Sequence, residues 1–153
     1  MHIEVIFGNQ QEAVEIPESW LTALEQITDS TVEKALQAAT SEDTPLHHLA
    51  HLEVTLVDDA TSERVHRDFM DIEGATDVIT FHHGEIVIGA EVAQRQAEEY
   101  GEPLLREIYR YFVHGLLHLA GHEDENAEQR RTMEAAQESI VEKGWQAQLG
   151  KRT

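Results

Sequence analysis

The reading turns on one stretch, Pro103 to Asp124, PLLREIYRYFVHGLLHLAGHED. Proline suits the first turn of a helix, and the run that follows is the longest apolar helix in the chain. Gly121 can take up positive φ and end it. His114 and His118 stand four residues apart on this helix, so their imidazoles share one face, one turn apart, as two neighbouring ligands of one cation must. A lone histidine in an apolar helix is more often a satisfied core residue than a ligand. Two at this spacing, followed by a helix-ending glycine and a third donor, point to a metal.

That third donor is expected to be Asp124, which arrives ten residues after His114 once the chain has turned back at Gly121. His122 competes for the place, and it would ligate if the helix ran on past Gly121 or the turn differed. Ligands at zero and four, glycine at seven and a ligand at ten match the spacing of metzincin zinc peptidases. Three ligands leave a coordination position open for water, whose pKa a metal lowers towards 7. Metzincins, however, carry their catalytic Glu directly after the first histidine, and this chain has Gly115 there. A peptidase of that design would lack its base.

Outward from the helix, Asp77–Phe81 and Glu85–Ile88 are strand-like and separated by His82-His83-Gly84, which predicts a hairpin. His2–Phe7 and His51–Val57 alternate and are rich in β-branched residues, so both read as strands. Helices are expected from Pro17 to about Ala39, with a break near Asp29-Ser30 where Ser30 could cap a second segment, and over Thr61–Met70, Glu91–Tyr100 and Glu125–Trp145. Ser41–Pro45 reads as a polar loop, with His47 and His48 still in it. No repeat, low-complexity segment or linker interrupts the chain. The expectation is one α+β domain over residues 1–153, a small mixed β-sheet packed with helices and a zincin-like metal site on a central helix.

Composition limits the chemistry. The 153 residues suffice for one real core, and 41% are apolar. There is no cysteine, so disulfides are excluded and any metal must be held by His, Asp or Glu. The first ten residues, MHIEVIFGNQ, lack the pattern of a secretory signal, and no run approaches the ~18 apolar residues that span a bilayer. A cytoplasmic protein without membrane partners is expected. Thirty acidic residues face eleven basic ones, a formal charge of −19, which opposes broad nucleic-acid binding and makes DNA an unexpected partner. A local site for one phosphodiester remains compatible with that charge.

The motifs also resemble a known family. His114-Gly-Leu-Leu-His-Leu-Ala-Gly121 resembles the H-G-x-L-H-L-x-G-Y-D-H signature of the YbeY-type endoribonucleases. Thr76-Asp-Val-Ile-Thr-Phe81 is similar to that family's T-D-V-L-S-F strand, Gly84-Glu-Ile-Val-Ile88 to its G-D-I-V-I strand, and Leu56-Val57-Asp58 to the end of an earlier one. The resemblance runs from about residue 50 to residue 125. It implies an α+β fold, one zinc ion held by His114, His118 and position 124, and single-strand endoribonuclease activity in 16S rRNA maturation and ribosome quality control. Single-stranded rRNA and small-subunit components are the partners it implies.

Two positions depart from the family pattern. The family has a third histidine where this chain has Asp124. Aspartate also ligates zinc, but its charge leaves less net positive charge on the ion. The family arginine six residues before the T-D-V strand, which binds or polarises phosphate, is replaced by Met70. Arg110, one turn before His114, and Arg67, on the helix of Met70, are the candidate substrate-binding residues; Arg106 and Arg64 are further basic neighbours. Pairing with Glu102 or Glu107 is the competing role for Arg110. His82 or His83 could shuttle a proton beside the cleft, Asp77 is expected to hydrogen-bond local structure, and His47, His48 and His51 receive no role. Besides the endoribonuclease, a metal-bearing ribosome assembly factor without cleavage and a small zinc metallopeptidase are the alternatives.

Overall fold

The computed structural model describes residues 2–152. Its elements follow in the order β1 (Glu4–Asn9), α1 (Glu18–Gln37), α2 (Pro45–His48), β2 (His51–Val57), α3 (Asp59–Met70), β3 (Val78–Phe81), β4 (Glu85–Gly89), α4 (Ala90–Tyr100), α5 (Leu104–Leu119) and α6 (Ala127–Ala147), with a 3₁₀ turn over Leu149–Arg152. The sheet order is β1-β2-β4-β3. β1 and β2, and β2 and β4, run parallel, while β3 pairs antiparallel with β4. This is the α+β, mixed-sheet architecture expected from the sequence.

The β3–β4 hairpin forms as its pattern predicts. Phe81 pairs with Glu85, leaving His82, His83 and Gly84 as the loop. Gly84 has φ +113, and a Cβ there would lie 2.6 Å from the carbonyl oxygen of His51, so the turn needs a residue without one. β3 is thereby fixed as an edge strand next to the end of α5.

α5 is the central helix. Leu105, Ile108, Phe112, Val113, Leu116, Leu117 and Leu119 are all within 1% of complete burial. A helix apolar nearly all round belongs inside, and here it lies between the sheet, α1 and α6. Gly115 marks its closest approach to the sheet: a Cβ at 115 would stand 2.7 Å from Cδ1 of Ile86 on β4. The residue that separates this chain from the metzincin pattern is therefore a packing glycine aimed at the sheet.

Three local expectations change. α1 runs unbroken through Asp29-Ser30, because the hydroxyls of Thr28, Ser30 and Thr31 donate back to carbonyls of the preceding turn instead of capping a new helix. His47 and His48 lie in the short helix α2, which Thr44 opens with a capping box completed by Nδ1 of His47. α3 starts earlier than Thr61, since the Asp58 carboxylate accepts from the amide of Thr61 at 2.9 Å and caps it. That bond holds the Asp58 carboxyl below its ordinary pKa. Among the described residues, no helix is long and apolar enough to cross a membrane.

Candidate metal centre

His114 and His118 project from the last two turns of α5, each about a quarter exposed on a largely buried helix. Past Leu119 the helix stops: the Gly121 amide donates to the carbonyl of His118 at 3.0 Å and the His122 amide to that of Leu117 at 2.9 Å. Gly121 has φ +97, the positive φ expected from the sequence. A Cβ there would lie 2.1 Å from Oγ1 of Thr40, so the residues after α1 press against this turn as well.

The reversal brings Asp124 back over the helix. Its Oδ2 is 3.8 Å from Nε2 of His114 and 3.7 Å from Nε2 of His118. The two rings meet edge to face with centroids 4.7 Å apart. One donor atom from each of the three residues lies within 4.8 Å of the others, so the group could hold a metal ion. Tetrahedral zinc with bonds near 2.0–2.1 Å sets its donors about 3.3 Å apart, within half an ångström of the two nitrogen–oxygen separations. The donor set of two imidazoles and one carboxylate suits a divalent cation with a position left open.

The far side of each imidazole is also engaged. Nδ1 of His118 faces the carbonyl oxygen of His122 at 2.9 Å, and Nδ1 of His114 faces Oε1 of Gln137 at 2.7 Å. Both contacts leave Nε2 turned inwards. Burial, and next the charge of His114, hold the His118 imidazole below its ordinary pKa, which favours the neutral, ligating form.

His122 is placed elsewhere. Its ring is buried and its Nε2 hydrogen-bonds the carbonyl oxygen of Ala38 at 2.7 Å, so it points towards the end of α1. Beside Asp124 and His118 opens a cleft of about 280 Å³ that His66, Met70, Thr80, His82 and Glu123 also line. His83 lies outward, 3.2 Å from Glu85 and stacked on Phe81. Asp77 accepts from the amide of Val78 at 2.7 Å, holding the start of β3.

The two arginines expected at the substrate are placed differently. Arg110 is only 14% exposed and is clasped by Glu102, Glu107 and Glu138, so its charge is balanced within the fold. Arg67 is half exposed on α3, 3.9 Å from Glu63 and 3.6 Å from Asp68. Gln137, which the sequence reading left within an outward-charged helix, is the residue that it missed. The signal was there: Met133, Gln137, Ile140, Val141 and Gly144 form the buried stripe of α6, and Gln137 is the polar member of it.

Relatives agree with this architecture. A family model described as Endoribonuclease YbeY matches residues 7–144. A protein named Endoribonuclease YbeY from Heliobacterium modesticaldum is 33% identical over 151 residues, covering 85% of this chain and 86% of its own. Its namesake from Moorella thermoacetica is 32% identical over 158 residues, covering 91% and 96%. A solution structure from Thermotoga maritima superposes with a TM-score of 0.60 at 24% identity, covering 94% of this chain and 90% of that one, which supports the fold. The match over residues 7–144 spans β2, β3, β4, α5 and the three candidate ligands, and this chain belongs to the endoribonuclease YbeY family.

Proposed function

We propose that the protein is a zinc-dependent endoribonuclease that cleaves single-stranded RNA, working in the cytoplasm on 16S rRNA maturation and ribosome quality control alongside small-subunit components. The convergence of His114, His118 and Asp124 in a chain of this family carries the proposal. These three are the proposed ligands and, through the ion, the catalytic set. When bound, a divalent ion at such a site acts as a Lewis acid towards a phosphoryl oxygen and makes an attacking water more acidic.

The chain's own residues do the rest. His114, His118 and Asp124 would hold the ion beside the cleft that His118 and Asp124 line. His82, which lines the same cleft, is the proposed proton shuttle. Arg67 is the proposed phosphate contact: its partners are exposed, and such pairs exchange at little cost. With a net charge of −19, the surface admits a short unstructured segment at the cleft and leaves wider RNA contacts to a partner. Incubation with unstructured rRNA tests the reading. Cleavage with zinc that stops on chelation and returns on zinc addition is expected; equal cleavage with and without chelator would overturn it.

A second reading, a metal-bearing assembly factor without cleavage, is favoured by one observation. Met70, 52% exposed, lines the cleft where the family has arginine, and neither lysine nor arginine is among the described lining residues. An inactive wild type that gains cleavage in Met70→Arg would support this second reading. Strong cleavage by the wild type would end it.

A further inference from the structure

Gln137 joins the candidate ligand His114 to a charge cluster centred one turn earlier on the same face of α5. Its Oε1 is 2.7 Å from Nδ1 of His114, and its Nε2 donates to Oε2 of Glu138 at 3.1 Å. Glu138 in turn accepts a two-pronged contact from Arg110, at 2.8 Å from Nε and 3.0 Å from Nη2. Arg110 is held further by Glu102, at 2.6 and 3.1 Å, and by Glu107. Gln137 is 8% exposed, so this polar side chain sits in the interface between α5 and α6.

The chemistry along this chain allows one arrangement. A carboxylate paired with a guanidinium only accepts hydrogen bonds, so the amide end facing Glu138 is the NH2 group. The carbonyl end therefore faces His114. A carbonyl only accepts, so Nδ1 of a neutral His114 carries the ring proton and Nε2 keeps its lone pair. We propose that Gln137 is a positioning residue that locks His114 in the Nδ1–H tautomer, and that Arg110, acting through Glu138, sets the direction of the Gln137 amide. Arg110 thus acts on His114 through two intervening side chains, Glu138 and Gln137. The inference rests on His114 as a ligand and is independent of what the substrate is. His118 supplies a comparison within the same protein, because its Nδ1 faces a backbone carbonyl, that of His122, which no substitution in α6 removes.

The test reads the imidazole nitrogens directly. Nitrogen-15 NMR of histidine-labelled, metal-free protein at alkaline pH distinguishes protonated from bare ring nitrogen in each ring. In the wild type both His114 and His118 should carry the proton on Nδ1. In Gln137→Leu the His114 ring should move towards the Nε2–H form while His118 stays, and the zinc dissociation constant should rise about 10–100-fold, the usual effect of losing such a support. Glu138→Gln, which touches neither ring nor ion, should give a mixed His114 tautomer and a smaller rise. A wild-type His114 protonated on Nε2 would overturn the proposal whatever the variants do. So would a folded Gln137→Leu protein with unchanged tautomer and zinc affinity, and an unmoved Glu138→Gln would remove Arg110 from the chain of influence. A wild type that takes up no zinc would instead count against the metal-dependent function, leaving the tautomer result standing.

Discussion

His122 and Ala38 are joined across 84 positions of sequence by a 2.7 Å hydrogen bond between an imidazole nitrogen and a backbone carbonyl. Ala38 closes α1, and its carbonyl is one of those a helix end leaves without an intrahelical partner. The histidine that competes for the metal in the sequence thus serves as the partner of that carbonyl.

Metal content should separate the two residues. His122→Ala should still bind one equivalent of zinc but unfold more easily, by about 1–3 kcal/mol, since a buried acceptor loses its partner. Asp124→Ala should lose the ion with stability nearly unchanged in the metal-free state, its side chain being 45% exposed. Zinc retained in Asp124→Ala and lost in His122→Ala would reverse the assignment.

Gly115 and Ile86 should be coupled. Gly115→Ala places a methyl 2.7 Å from Cδ1 of Ile86 and 3.1 Å from its Cγ1 and Cγ2, in a packed core. The expected loss is about 1–3 kcal/mol. Trimming the neighbour with Ile86→Val should recover part of it, so urea denaturation of the double variant should show less than the sum of the single losses. Strict additivity would mean that the two side chains do not meet.

The Arg110 cluster should behave as structure. Glu107, whose side chain is 8% exposed, depends on Arg110 for its countercharge. Arg110→Met should leave it buried and unpaired, at about 3–5 kcal/mol. Glu107→Gln in the same chain should restore much of the loss, a pattern that a surface phosphate contact would not give.

Alkaline pH should weaken the fold through Tyr109. Its hydroxyl is pushed up to about 12 by burial, with the 2.8 Å contact to Thr31 acting in the opposite direction. The unfolded chain releases this proton near 10, so the contribution is complete below that pH and is lost as pH rises towards 12. At most about 3 kcal/mol follows from two units at 1.36 kcal/mol each. Denaturation midpoints at pH 9 and 11 should therefore fall further in the wild type than in Tyr109→Phe. Equal falls would place the titration elsewhere.

The features legible in the sequence were those set by local rules. The hairpin followed from alternation and a glycine turn, α5 from its apolar run, and the three donors from helical spacing and a glycine stop. What stayed hidden depended on distant partners. Nothing near Arg110 in the chain announces Glu138, which lies 28 residues on and meets it only after α6 folds back. Likewise, α1 continues through Asp29-Ser30 because hydroxyls that often begin helices found acceptors within the same helix, an outcome propensity alone leaves open.

The three donors differ in how firmly they are mounted. Two imidazoles stand on a rigid buried helix, braced from behind, while the carboxylate rides on a solvent-facing bend. The proposed centre thus pairs a buried jaw with an exposed one. Local opening follows the least packed segment, so in the proposed centre an ion would arrive and depart past Asp124, at a tempo set by the bend rather than by the helix.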